Sequence, residues 1–298
     1  MCFVTVTTCR RLLQRVLLVL IPVLGWELLS ASSVFASDSF ALRTEDSFAN
    51  PSLTRTWTLR AGPFGQDLNG QVAKKLRGRG SGASVTLDDL GLDTWTVSPL
   101  LSGRWRFADR WRLEIGYFNT DIDGKVGARD QFQFSGRSIP VGANLATSLK
   151  ANAYAAELGY SFVKNDRAEL GLRLGTYVFD LKATVNTSAY ISSLTATTGP
   201  ATAQVVAPLP NVGLYGAYAL SDRLTIQGSF GYLGATLGDW RGEALSASAS
   251  LEYWIFDQFA IGAGYQFLDV DVVHKGSVFR EEFDVTWQGP VVFGTLAF

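Results

Sequence analysis

Cysteine is nearly missing from this chain of 298 residues: Cys2 and Cys9 are the only two. Beyond residue 9 a disulfide framework and thiol catalysis are therefore excluded. Histidine is scarcer still, with His274 alone. Charged residues make up 18% of the sequence, against roughly 25% in typical soluble domains. Hydrophobic residues nevertheless reach 47%. Beyond residue 36 no stretch approaches the roughly eighteen unbroken apolar residues of a membrane helix. A chain this apolar and without a spanning helix has one other way to satisfy its backbone groups in lipid, a closed β-barrel. Also missing are a Walker loop, a GxSxG elbow, zinc-type ligand spacing and a GxGxxG after a strand.

The leading segment reads as a secretory signal. Arg10, Arg11 and Arg15 form a basic start, Val16 to Trp26 is an apolar run too short to span a bilayer, and Val34-Phe35-Ala36 supplies small residues for cleavage after Ala36. Residues 1–36 are expected to leave during Sec export, taking both cysteines with them. Neither cysteine sits in a lipoprotein context. The remaining chain is slightly more acidic than the −1 of the whole, which argues against nucleic acid as a partner. Residues 37–52 read as a short periplasmic segment, and 53–298 as the barrel.

A short motif recurs along residues 53–298. An aromatic or apolar strand end is followed by a turn with Asp or Asn and then by a new strand. It reads Trp105-Arg-Phe107-Ala-Asp109-Arg110-Trp111, then Tyr160-Ser-Phe162-Val-Lys-Asn165-Asp166-Arg167. It returns as Tyr218-Ala-Leu220-Ser-Asp222-Arg223-Leu224, and more weakly as Trp254-Ile-Phe256-Asp257-Gln258-Phe259. Asp and Asn favour such turns because their side chains bond nearby N–H groups. The stretches between copies, 64–93, 127–144 and 186–203, are longer and rich in Gly, Ser, Thr or charge. Short turns on one rim and long loops on the other is the asymmetry of transmembrane barrels. Four short turns give eight strands. A first strand near 54–64 and a last one ending at Phe298 make ten, with eight or twelve as the neighbouring even counts.

Alternation with period 2 separates two faces. Leu170, Leu172 and Leu174 oppose Glu169, Gly171, Arg173 and Gly175; Leu245 to Ile255 oppose Ser246, Ser248, Ser250 and Glu252. A water-exposed face normally carries many Lys and Glu. The polar face here is mostly Gly, Ser and Ala with isolated Arg and Glu, which suits the wall of a narrow lumen rather than the outside of a lipocalin-like barrel. The apolar face then meets lipid, with Trp105, Phe107, Trp111, Tyr160, Phe162, Tyr218, Tyr253 and Phe259 as an aromatic girdle beside the short turns. Tyr117, Tyr232, Tyr265 and Trp287 are expected at the opposite border. In the last strand the apolar set changes phase at Gly289-Pro290, which predicts a bulge.

Arg60, Arg104, Arg106, Arg112, Glu114, Glu157, Glu169, Arg173 and Glu252 share the small-residue face. They are expected to form a charge network in the lumen, either filling it or selecting solutes at a constriction. Lys74, Lys75, Arg77 and Arg79 form a basic stretch able to hold phosphates. Asp88, Asp89 and Asp93 lack the ligand periodicity of a calcium loop and read as a capped turn folding into the barrel mouth. No metal or cofactor is expected.

The final segment, Val291 to Phe298, is apolar at alternate positions and ends with Leu296 and Phe298. This ending, the asymmetric turns and the two faces together resemble the small outer-membrane β-barrels of Gram-negative bacteria, the broad group of OmpA-like and OmpW-like barrels. The resemblance implies an all-β, antiparallel up-and-down barrel inserted from the periplasm by the barrel-assembly machinery, which reads Leu296 and Phe298. It implies outer-membrane lipids and lipopolysaccharide as partners. It leaves open a structural or narrow porin-like barrel and a surface-binding one. Omptin-type proteases and lipid A-modifying barrels use a His with acidic residues or Ser, roles in which His274, Ser277 and Glu281 could be cast. Alternation puts Asp271 and His274 on opposite faces, so no enzyme is expected.

Overall fold

The computed structural model describes residues 50–76, 82–87, 89, 91–127, 132–134, 137–139, 144–188, 201–275 and 279–298. The signal segment 1–36, Arg77, Arg79, Asp88 and Ser277 lie outside them. The described chain opens with one helical turn, α1 (Pro51–Thr54). Thirteen strands follow: β1 (Trp57–Leu76), β2 (Gly82–Thr86), β3 (Trp95–Ala108), β4 (Trp111–Gly127), β5 (Phe132–Phe134), β6 (Arg137–Ile139), β7 (Asn144–Lys164), β8 (Ala168–Ser188), β9 (Ala201–Ala219), β10 (Leu224–Leu237), β11 (Trp240–Phe256), β12 (Phe259–Lys275) and β13 (Phe279–Ala297).

Ten of these strands, all antiparallel, close into one barrel in the order β1-β3-β4-β7-β8-β9-β10-β11-β12-β13. Pairing of β13 with β1 removes both free edges, and Trp57 and Phe298 exchange backbone bonds of 2.9 and 3.0 Å at the seam. β2 extends the outer part of β1, and β5–β6 form a separate small hairpin. The short turns at 109–110, 165–167, 220–223 and 257–258 share a rim with Trp57 and Phe298; this rim is called the lower one below. Side chains set these turns as their composition demands. Asn165 Oδ1 accepts from the N–H groups of Arg167 and Ala168 at 2.9 and 2.8 Å. Ser221 Oγ accepts from those of Arg223 and Leu224.

Three details differ from the sequence reading. Residues 64–93 are not one loop, because β1 runs on to Leu76 and β2 pairs with it. The opposite rim is not uniformly long-looped: β10 and β11 are joined by Gly238 and Asp239 alone, with Gly238 at φ 60°. Nor does β13 carry a bulge. Its register against β12 runs unbroken from Phe259↔Leu296 through Tyr265↔Pro290 and Gln266↔Gly289 to Lys275↔Arg280.

The phase change in β13 has another cause. The same face points inward along the whole strand, and it is the outward face that changes, from Val292, Leu296 and Phe298 below Pro290 to Asp284 and Gln288 above it. Below Pro290, Val292, Leu296 and Phe298 are exposed outward, while Thr295 is buried in the lumen. Above it, Val285 and Trp287 are buried inside, at 0% and 1% exposure. Trp287 is thus a lumen residue and not part of an outer girdle. Other strands repeat the reversal. In β1, Trp57 and Leu59 are exposed outward near the lower rim, whereas higher up Phe64 and Leu68 are buried inside and Asn69 and Gln71 are exposed outside. In β4, outward Trp111 and Ile115 give way to outward Asp121, Asp123 and Lys125, with Ile122 buried inside. In β8, outward Leu170, Leu172 and Leu174 give way to Lys182, with Phe179 inside.

The apolar outer band spans about ten residues per strand, which at ~3.3 Å per residue and ~45° of tilt is roughly 25 Å, the thickness of a barrel's lipid-facing belt. β7 and β8 are 21 residues long. Their remaining half stands beyond the belt, with an outside that carries charge and an inside packed like a soluble domain.

Candidate functional site: a two-layered lumen

Each lower inward position is fixed by strand parity, and parity brings all nine predicted charges into one network. Arg106 on β3 makes a two-pronged pair with Glu169 on β8, at 3.0 and 2.9 Å. Arg104 donates to Glu114 at 2.6 Å and to Gln227 on β10 at 3.2 Å. Arg112 reaches Glu114 at 3.4 Å and Glu169 at 3.7 Å. Arg173 donates to Glu157 at 2.9 Å and to Ser246 at 3.1 Å. Arg60 lies 3.2 Å from Glu252 and donates to Gln227 at 2.8 Å. Five arginines and four glutamates thereby span a lumen that no single pair would bridge, and their mutual bonds offset the cost of taking ions out of water.

Neutral groups complete the network, and the sequence reading did not single them out. Tyr215 on β9 lies beneath the Arg112 guanidinium, 3.3 Å from ring centre to cation, and its hydroxyl bonds Ser161 at 2.8 Å. Gly159 and Gly171 make this stack possible; a Cβ at Gly171 would lie 2.3 Å from the Tyr215 ring. Asn211 donates to Glu157 at 2.6 Å. Glu252, fully buried, accepts from Ser52, Gln227 and Thr295 at 2.6, 2.8 and 2.6 Å. Parity was the available signal: Tyr215 shares a face with Gly213, and Gln227 with Thr225 and Ser229.

Ser52 belongs to α1, which sits in the lower mouth rather than outside it. Pro51, Ser52 and Leu53 are buried. The Trp254 indole donates to Ser52 Oγ at 2.8 Å, and Asn50 Nδ2 donates to the backbone oxygen of Ser221 at 2.9 Å. The helical turn thus sits in the lower mouth against Glu252, Trp254 and the turn at 220–223.

Above the charges the lumen turns apolar. Leu68, Ile122, Leu149, Phe179, Leu209, Leu268, Val270, Val285 and Trp287 form one buried cluster. Leu87 and Leu92 join it from the connection after β2, where Thr86 and Asp89 bond one another and Asp93 Oδ1 accepts from the Trp95 N–H. One polar knot crosses the cluster. Trp287 Nε1 donates to Thr120, Thr120 to Gln66, and Gln66 to Ser98. Between the two layers lies a cavity of about 200 Å³.

The predicted girdle residues lie on the outer face near the lower rim. Trp105, Phe107, Trp111, Tyr160, Phe162, Tyr218 and Tyr253 are exposed there and Phe259 is partly so. Trp57 stacks on Trp105 with ring centres 5.2 Å apart, and Trp111 meets Tyr160 at 4.9 Å. Leu296 and Phe298 are exposed beside them. Lys74 and Lys75 lie in the outer part of β1, opposite Glu281 and Arg280 in register. The backbone of His274 pairs with Trp240 and Glu281. Among the described residues no group of His, Cys, Asp or Glu is arranged to hold a metal.

Closed pairing, an outward apolar belt and a charged lumen define a transmembrane β-barrel. No protein-family profile matches the chain, and no curated protein does. Among solved structures, it is similar to the outer membrane protease OmpT of Escherichia coli, at 12% identity over 81% of this chain and 97% of that one, with a TM-score of 0.49. It is also similar to the outer membrane protein OprG of Pseudomonas aeruginosa, at 13% identity over 85% and 100%, TM-score 0.38. A third is the toluene transporter TodX of Pseudomonas putida, at 11% identity over 88% and 95%, TM-score 0.33. Likenesses this distant carry no argument about function; the barrel is read from its own pairing.

Proposed function

We propose that this protein is a non-enzymatic outer-membrane barrel that works at its outer end, as a rigid post presenting loops to the cell's exterior. The reversal of polarity about ten residues above the lower rim carries this reading. It supports half of the barrel standing clear of lipid on an apolar core of its own. The alternative, a narrow passage for small solutes, has to contend with α1 in the mouth, the charge network above it and the apolar cluster beyond. The partner chemistry that fits best is lipopolysaccharide phosphate, met by Lys74, Lys75, Arg77 and Arg79.

Planar-bilayer recording on refolded protein tests the post against the pore. The expected result is an electrically silent barrel. Stepwise conductance that changes on Arg104→Ala or Arg173→Ala would establish the passage instead. Binding of purified lipopolysaccharide should fall at least fivefold when the four basic residues are replaced by alanine, and an unchanged affinity would remove that ligand.

A further inference from the structure

β1 and β13 lie at opposite ends of the strand order along the chain, and no turn joins them. A turn fixes the register of the strands it connects, so the closing seam must be aligned by something else. Backbone bonds cannot do it, because a ladder shifted by two residues makes the same bonds. Nor can the outer face near the lower rim. Trp57 and Leu59 on β1 and Val292, Leu296 and Phe298 on β13 are all exposed outward. A slip of two residues would still set apolar beside apolar, in a solvent as apolar as the side chains themselves.

The inward face is different. Arg60 and Thr295 stand directly opposite one another across the seam, and both meet one carboxylate, that of Glu252 on β11. Arg60 lies 3.2 Å from Glu252 Oε1, and Thr295 Oγ1 donates to the same oxygen at 2.6 Å. β12 runs between β11 and β13, but its residue in register with Glu252 is Gly262, which puts no side chain in the way. Glu252 is itself held from β10, where Gln227 donates to Oε2 at 2.8 Å, and it is 0% exposed.

α1 adds a third partner. Ser52 donates to Glu252 Oε2 at 2.6 Å. Asn50, the residue that caps α1, accepts from Thr225 Oγ1 of β10 at 2.8 Å. α1 ends at Thr54 and β1 begins at Trp57. The lead-in to the first strand is thus strapped to β10 and β11, beyond β12 and β13 in the ring.

We infer that Glu252 is a register clasp, which sets the alignment in which β1 closes on β13. A slip of two residues moves Arg60 by ~6.6 Å along the seam, to face Ala297 or Phe293 in place of Thr295. One carboxylate then no longer reaches both partners, and a buried polar group loses its bond. A slip of one residue would turn the inward face of β1 toward lipid.

The test reads register directly from cysteine pairs, with Cys2 and Cys9 replaced by serine. Leu59→Cys with Leu296→Cys reports the native alignment. Leu59→Cys with Gly294→Cys, or with Phe298→Cys, reports a slip of two. Each chain is refolded in lipid vesicles and then oxidised, and the linked fraction is measured by mass spectrometry. The native pair should link at least tenfold more than either slipped pair. Arg60→Met with Glu252→Met removes the clasp without leaving a lone buried charge, and should lower that ratio at least fivefold. Arg106→Met with Glu169→Met removes an ion pair of the same lumen that joins β3 to β8, and should leave the ratio unchanged. An unchanged ratio in the first variant, or an equal fall in the second, overturns the clasp. Heat-modifiable gel migration checks that each variant is folded. Should the first variant not fold, Thr295→Val takes its place, since it leaves the ion pair intact. A fall of at least twofold is then expected, and an unchanged ratio overturns the clasp.

Discussion

A buried carboxylate with several charged partners and a surface one with a single partner should behave oppositely on mutation. Glu169 is 1% exposed and receives Arg106, Arg112 and Ser161. Glu169→Ala leaves the Arg106 guanidinium without its counter-ion in a narrow lumen and Arg112 with Glu114 alone, and should lower stability by about 3–5 kcal/mol. Urea unfolding of the detergent-refolded barrel measures it. Asp109, at the first short turn, bonds only Lys164 in the same role, at 2.7 Å. That hydrogen bond, followed by the Lys164 charge, holds the Asp109 carboxyl below its ordinary range. The sign follows: any contribution is present above the ordinary Asp value and is lost as pH falls through the depressed one. Solvent screens so exposed a pair. NMR titration should place Asp109 below a free aspartate, and Lys164→Ala should restore it.

At the scale of the strand, one face serves two environments. Leu174, 61% exposed on β8, lies in the lipid belt, and Lys182 lies beyond it on the same outward face. Leu174→Arg should cost about 2–4 kcal/mol, whereas Lys182→Arg should be close to neutral. Phe179, between them on the inward face, is buried at 2% and stacks on Trp287 at 5.8 Å. Phe179→Ala should cost about 3–5 kcal/mol as a core truncation would in a soluble protein. Urea titrations on the same preparation compare the three.

Much at this scale was legible beforehand. The turns at Asp109, Asn165, Asp222 and Asp257 announced themselves because turn-forming residues recur there, and in two of them a side chain, Asn165 or Ser221, bonds the turn's own backbone. The inward arginines and glutamates followed from parity. The polarity reversal did not, because a bulge and a change of surroundings leave the same trace. A bulge moves residues to the other face, while a new solvent changes which residues a fixed face requires, and only the unbroken register from Tyr265↔Pro290 to Phe267↔Gln288 separates them. Leu209 and the α1 residues were missed for a related reason: nothing in a sequence says which strand ends lie across a lumen from one another.

For the molecule as a whole, closure is the dominant fact. All ten barrel strands have two neighbours along part of their length, and the partings above Val212↔Tyr232 and above Leu100↔Phe118 are local. Such a barrel should resist detergent until heated. Unboiled samples are expected to run faster on a gel than boiled ones, and identical migration would contradict a closed barrel.

The seam between β1 and β13 has a consequence in time. These strands are the most distant in the chain, yet they hold the ring shut from Thr58↔Ala297 up to Leu76↔Phe279. Bringing such remote segments together is the slowest kind of encounter. A nascent copy therefore passes through a stage in which nearly every hairpin is made and two raw margins still wait for each other, and a cell must chaperone that open scroll until its final stitch.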